Sequence, residues 1–81
     1  MNWVTYTVKC SDDTFYTGAT NNIEKRLKAH NSGKGSKYTK GRTPVTLVML
    51  QKHNSKSEAL KEEYRFKQLR RKDKIRRINE N

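Results

Sequence analysis

The chain has 81 residues, 31% hydrophobic and 33% charged, which fits a single domain over residues 1–81 with a small core. Nineteen Lys and Arg against eight Asp and Glu give a net charge of +11, so a polyanion is the expected partner: nucleic acid first, an anionic membrane second. No apolar run approaches the roughly 20 residues of a membrane span and none resembles a signal peptide, so a cytoplasmic protein is expected.

Residues 3–10 alternate, with Val4, Tyr6, Val8 and Cys10 on one face and Thr5, Thr7 and Lys9 on the other. That is strand periodicity in β-branched and aromatic types. Trp3 opens the strand and reads as a core plug, with base stacking as its rival role. Cys10 is the single cysteine; it reads as a small buried hydrophobe, and with only His30 and His53 it makes no zinc site unless carboxylates help. Ser11-Asp12-Asp13 is turn chemistry and Thr14 to Thr20 resumes a strand, so the first 20 residues read as a hairpin. Gly18 within that second strand marks a bulge or a close backbone approach. Asn21 and Asn22 are good N-caps for a helix over 22–31 carrying Ile23, Leu27 and His30 at helical spacing. Arg26 lies beside that stripe and faces inward more than Lys25 or Lys28. A glycine-rich loop over 31–36 follows, with Lys34, Lys37, Lys40 and Arg42 in or near it. Val45 to Leu50 is nearly continuous in apolar residues and reads as a strand buried on both faces, central in the sheet. Ser55-Lys56-Ser57-Glu58 is a capping box that starts the next helix. Arg70 to Ile78 reads as a short, loosely packed basic helix anchored by Ile75 and Ile78. The class is therefore α+β: a three-stranded, mostly antiparallel sheet flanked by helices, in the order β-β-α-β-α-α.

One acid falls where apolar surface is expected. At about 100° per residue, the mean direction of Ala59, Leu60, Tyr64, Phe66 and Leu69 lies roughly 25° from Glu63. Glu62 points about 100° from Glu63, toward the rim. A carboxylate aimed at a core is costly unless it is paired or holds a metal. In so basic a chain, holding a cation against a polyanion is the functional reading of Glu63, and an ion pair with a lysine is the structural one.

The order of these features is similar to that of the GIY-YIG nuclease superfamily, over nearly the whole chain. The strings that carry the resemblance are Tyr16-Thr17-Gly18, Asn22 through Asn31, Lys37 through Pro44, and Ala59 through Tyr64. Within the superfamily the chain resembles the small stand-alone bacterial proteins related to the catalytic subunit of the structure-specific endonuclease. Val4-Thr5-Tyr6 stands where the name-giving Gly-Ile-Tyr belongs, so only the tyrosine is shared. The resemblance implies an endonuclease hydrolysing phosphodiesters, in DNA more than RNA, with one Mg²⁺ or Mn²⁺. It implies Glu63 as the metal ligand and Arg26 on the phosphate. It also implies a tyrosine general base, Tyr6 before Tyr16, with His30 beside the tyrosines and Tyr38 reaching in from the loop. An ordinary phenol, near pKa 10, is a poor base at pH 7 and needs cationic surroundings.

Each residue also has a plainer reading: strand aromatics for Tyr6 and Tyr16, a core or capping histidine for His30, a solvated helix face for Arg26. Lys34, Lys37, Lys40, Arg42, Arg65, Arg70, Arg71 and Lys74 are the candidate nucleic-acid contacts, or else solvated surface. The rival functions are a non-catalytic nucleic-acid-binding module on the same scaffold and a subunit whose protein partner supplies specificity.

Overall fold

The computed structural model describes residues 2–80, and the element order is the expected one. Strands β1 (Trp3–Lys9), β2 (Phe15–Thr20) and β3 (Thr46–His53) form one antiparallel sheet in the order β2-β1-β3. Helix α1 (Ile23–Asn31) lies between β2 and β3 in sequence, and α2 (Lys56–Lys67) and α3 (Arg71–Glu80) follow. No described helix is long and apolar enough to cross a membrane.

The expectation that the apolar run through Leu50 is central is wrong: β1 holds the centre, and β3 is an edge on which only Met49 is fully buried. The physical reason is that the threonines of β1 are satisfied internally, so burial does not penalise them. Thr5 donates to the Ala59 carbonyl (2.8 Å), and Thr7 meets its cross-strand partner Thr17 (2.9 Å). Both faces of β1 are therefore covered. On one, Tyr6, Val8, Cys10 and Val45 form a core against which Tyr16, Ile23, Leu27, Leu47 and Leu50 pack. The other carries Thr5, Thr7, Thr17 and Met49 beneath Ala59 and Phe66, the two fully buried residues of α2.

The local signals hold. Asn22 caps α1, accepting from the Lys25 amide (3.1 Å), and Ser55 caps α2, accepting from the Glu58 amide (3.2 Å). The Glu58 carboxylate reaches the Asn54 amide (3.4 Å) instead of returning to Ser55. The sheet's bulge sits in β3 at Val48, between the Thr7–Met49 and Val8–Leu47 pairs, and not at Gly18. Gly18 is the close-approach case: a Cβ there would stand 2.7 Å from the Tyr6 hydroxyl. Cys10 is buried as expected, and burial pushes its thiol up. Trp3 is only half-buried, under the start of α2, with the Lys56 ammonium 5.4 Å from its ring. Helix α3 has no fully buried residue.

The inward face of α2 also differs from expectation. Leu60 (46% exposed) and Tyr64 (68%) point outward. Glu62 and Glu63 flank the Ala59–Phe66 stripe on either side, with side chains 14% and 20% exposed. Glu62 is thus the more buried acid, and not a rim residue. It is held by Arg77 (3.0 Å) and Arg65 (3.5 Å).

Candidate active site

Strand alternation puts Tyr6 and Tyr16 on the α1 face of the sheet, and the last turn of α1 delivers His30 between them. The Tyr6 hydroxyl lies 2.8 Å from His30 Nε2, and His30 Nδ1 lies 2.8 Å from the Thr39 hydroxyl. Thr39 in turn meets the Ser36 hydroxyl (3.1 Å), which also accepts from the Thr39 amide (3.1 Å). Tyr6, His30 and Thr39 are all buried, so this is an enclosed polar chain whose every member has a partner. Gly35 makes room for it: a Cβ at that position would collide with the His30 ring.

The aromatic rings continue outward from the chain. Tyr16 meets His30 edge-on (5.3 Å between centroids) and stacks on Tyr38 (5.8 Å), which is itself covered by the Arg42 guanidinium at 4.3 Å. On the other side of Tyr16 stands the Lys67 ammonium, 5.6 Å from its ring and 2.7 Å from the Glu63 carboxylate. The cluster therefore reaches from the α1 layer across β2 to α2. Glu63 is in an ion pair, so the lysine alternative for it is what the structure contains. Both members are partly exposed and one helical turn apart, a kind of pair worth about 0–1 kcal/mol and readily exchanged for another cation.

The charges act on the buried chain. Burial raises the Tyr6 phenol well above its ordinary value, Tyr16 and Glu63 push the same way, and Arg26 opposes them. Burial and then the positive charge of Arg26 hold the His30 imidazole below its ordinary value. At neutral pH the phenol keeps its proton and the imidazole is neutral, with one nitrogen free to accept. Arg26 is half-buried and its guanidinium forms no ion pair with a described residue. It lines a cleft with Asn22, Lys25, Ala29, Lys34 and Gly35.

Tyr6, Tyr16, His30 and Tyr38 are brought into contact, and the charges of Arg26 and Glu63 both reach Tyr6. Lys34, Lys37 and Lys40 are exposed around the adjoining loop cleft with Ser36. Besides Arg65, which pairs with Glu62, two candidate contacts are engaged internally. Arg42 bonds Asp12 (2.9 Å) and the Tyr38 carbonyl, and Arg71 bonds the Asp13 carbonyl (2.9 Å) and covers Phe15. Arg65 and Arg70 are exposed, and Lys74 is half-buried on α3. Gly35, Ser36 and Thr39 are absent from the sequence-based set, although Ser36-x-x-Thr39 is a recognisable turn signature.

Among the described residues no group of three or more His, Cys, Asp or Glu could enclose a metal. Glu63 faces the cluster through Lys67 and Tyr16, whereas Glu62 is turned to Arg77 and Arg65. One carboxylate with water access suits Mg²⁺, which keeps several waters and takes substrate phosphate oxygens. The residues fit such an ion once Lys67 yields its place.

The sequence family of the GIY-YIG catalytic domain matches residues 2–79. A UPF0213 protein of Halobacterium salinarum is 54% identical over 69 residues, covering 85% of this chain and 90% of that protein. A UPF0213 protein of Clostridium perfringens is 52% identical over 79 residues, covering 98% of this chain and 84% of its own. Two solution NMR structures are similar in fold, each covering 98% of this chain and 84% of the other. They are a UPF0213 protein from Bacillus halodurans (43% identical, TM-score 0.63) and a protein from E. faecalis (40%, TM-score 0.66). None of these names carries an activity.

Proposed function

The chain belongs to the GIY-YIG family, and from that premise we propose that it is an endonuclease that hydrolyses phosphodiester bonds in DNA with one divalent ion. The observation that carries the reading is the enclosed Tyr6–His30–Thr39 chain lying within the charge fields of Arg26 and Glu63. Family membership supplies the nuclease class; the roles below are our assignment.

Phosphodiester hydrolysis needs a base for water, stabilisation of the phosphoryl charge, and help for the departing oxygen. Tyr6 accepts the proton of the attacking water as its own phenolic proton moves to His30 Nε2. The phenol need not ionise beforehand, which its burial opposes. The neutral imidazole is the receiving base, and Thr39 holds it in the tautomer that leaves Nε2 free. Arg26, which pairs with no carboxylate among the described residues, presents a planar fork to the phosphate. Glu63 would hold the divalent ion, which supplies Lewis acidity at the leaving oxygen. Lys34, Lys37 and Lys40 continue the positive surface from Arg26 and attract the flanking phosphates.

The Glu63–Lys67 pair favours one rival, a binding module in which the lysine keeps the metal out. The test uses labelled single-stranded, duplex and branched DNA with Mg²⁺, for the native chain, Glu63→Gln and Arg26→Ala. Metal-dependent cutting that both variants lose is the expected result; tight, salt-sensitive binding without cutting by any form would establish the module. Lys67→Gln should strengthen Mn²⁺ binding at Glu63 several-fold, read by paramagnetic broadening of the Glu63 amide signal. No change there would remove the lysine from the metal site. DNA repair, and a protein partner supplying specificity, belong to the same proposal.

A further inference from the structure

A roomy groove away from the tyrosine cluster runs on the outward face of α2, lined by Lys56, Ser57, Leu60, Lys61, Tyr64 and Arg65. Single exposed apolar residues are ordinary on a protein surface. Here two of them, Leu60 and Tyr64, stand one helical turn apart, and the groove's lining holds three cations and no acid, although Arg65 also reaches Glu62 (3.5 Å) outside it. Tyr64 is the most exposed of the described large apolar side chains, with 68% of its surface free. In helical position Leu60 adjoins both Glu63 and Tyr64, so the groove begins beside the metal-binding candidate.

We propose that this face is a binding track for an unpaired nucleic-acid strand, with a base stacked on Tyr64 and phosphates on Lys56, Lys61 and Arg65. An exposed aromatic face ringed by cations without an acid is complementary to a strand that offers bases and phosphates together. A duplex hides its bases and gives Tyr64 nothing to stack on, whereas every unstacked base has a π-face. An acidic protein would answer the charge but not require the flat ring. Where the strand leads rests on the nuclease reading, because the track would deliver it to Glu63; the binding itself does not.

The test measures binding by anisotropy of a labelled thymidine oligonucleotide and a duplex of equal length. The signal of Trp3, the single tryptophan, beside Lys56, serves as a second readout. Tyr64→Ala should weaken oligonucleotide binding about tenfold with the salt slope unchanged, and leave duplex binding alone. Tyr64→Phe should bind as the native chain does. Lys61→Gln should lower the salt slope by about 0.7 for the single strand. Equal oligonucleotide affinity in Tyr64→Ala, an equal loss on duplex, or equally good competition by polyglutamate would each overturn the proposal. So would a concentration-dependent dimer that Tyr64→Ala abolishes. If no form cuts DNA but the Tyr64 pattern holds, the nuclease reading fails and the track stands. If Glu63-dependent cutting persists and Tyr64→Ala binds normally, the track alone fails.

Discussion

The two faces of β1 bury similar polar chemistry for different ends. On the α2 face, Thr5 and Thr7 close short hydrogen bonds onto the Ala59 carbonyl and Thr17, and the Thr5 hydroxyl also lies 3.0 Å from Nε2 of half-buried His53. On the α1 face, Tyr6 and His30 also close short bonds, but both are titratable and both sit in the field of Arg26. Threonine pairs can satisfy burial and do nothing else. A phenol on an imidazole, with the proton resting on the weaker acid, is poised to move that proton once a phosphate and a cation alter the field. The comparison separates polar burial that serves stability from polar burial that also serves chemistry.

The largest expected effects divide stability from activity. His30→Ala leaves the Tyr6 hydroxyl without its partner, leaves Thr39 with Ser36 alone, and opens space beside them; it should cost roughly 2–4 kcal/mol in denaturant unfolding and abolish cutting. Glu63→Gln should abolish cutting equally while moving stability by no more than about 0.5 kcal/mol, since its partner Lys67 is surface-exposed. A Glu63→Gln chain as unstable as His30→Ala would make the acid part of the framework and not of the site.

Next in size is the packing around the histidine. Gly35→Ala drives a methyl group into the His30 ring, and the loop or the ring must shift, at roughly 1–3 kcal/mol. The shift should show as a changed His30 imidazole chemical shift, with cutting reduced in step.

Acid should act on the same residue. Because His30 is held below its ordinary value, the unfolded chain takes up its proton first as pH falls. The stability it contributes is present above about pH 6.5 and is lost as pH falls from there through the lower folded-state value. Cutting should fall in the same lower range, because a protonated imidazole cannot accept from Tyr6. His30→Gln should remove the histidine's part of the midpoint shift between pH 7 and 5; an unchanged shift would assign the acid sensitivity elsewhere.

Much of this was readable before the fold was known. The element order and the Asn22 and Ser55 caps follow from period and cap chemistry, the close approach at Gly18 is one of the two readings its place in a strand allows, and His30 beside Tyr6 and Tyr16 is what the family resemblance implies. The errors share one cause. A continuous apolar run marks Val45 to Leu50 as the central strand, yet β1, with threonines on one face, holds the centre. Hydrogen bonds to Ala59 and Thr17 override hydropathy there, and a sequence pattern does not show where a hydroxyl will find its acceptor. The averaging of apolar directions misplaced Leu60 and Tyr64 in the same way, since it assumes that every apolar side chain is buried. Thr39 and Gly35 were missed because a loop folding back over a helix end has no period to read. Lys67, one turn after Glu63, was legible from spacing alone.

The smallest effect is the sharpest check on the contrast between faces. Changing Thr7 and Thr17 together to valine removes both partners of one buried hydrogen bond and leaves neither orphaned. Valine has nearly the shape of threonine and favours a strand, so the double variant should fall within about 1 kcal/mol of the native chain and cut DNA at the native rate. Thr39→Val is the matching change on the other face. It leaves the buried Nδ1 of His30 without a partner, so it should cost about 1–3 kcal/mol and slow cutting as the imidazole loses its fixed tautomer. Equal rates in the two variants would mean that the hydroxyl beside His30 is as passive as those beneath α2, and that Thr39 contributes to packing without directing the proton.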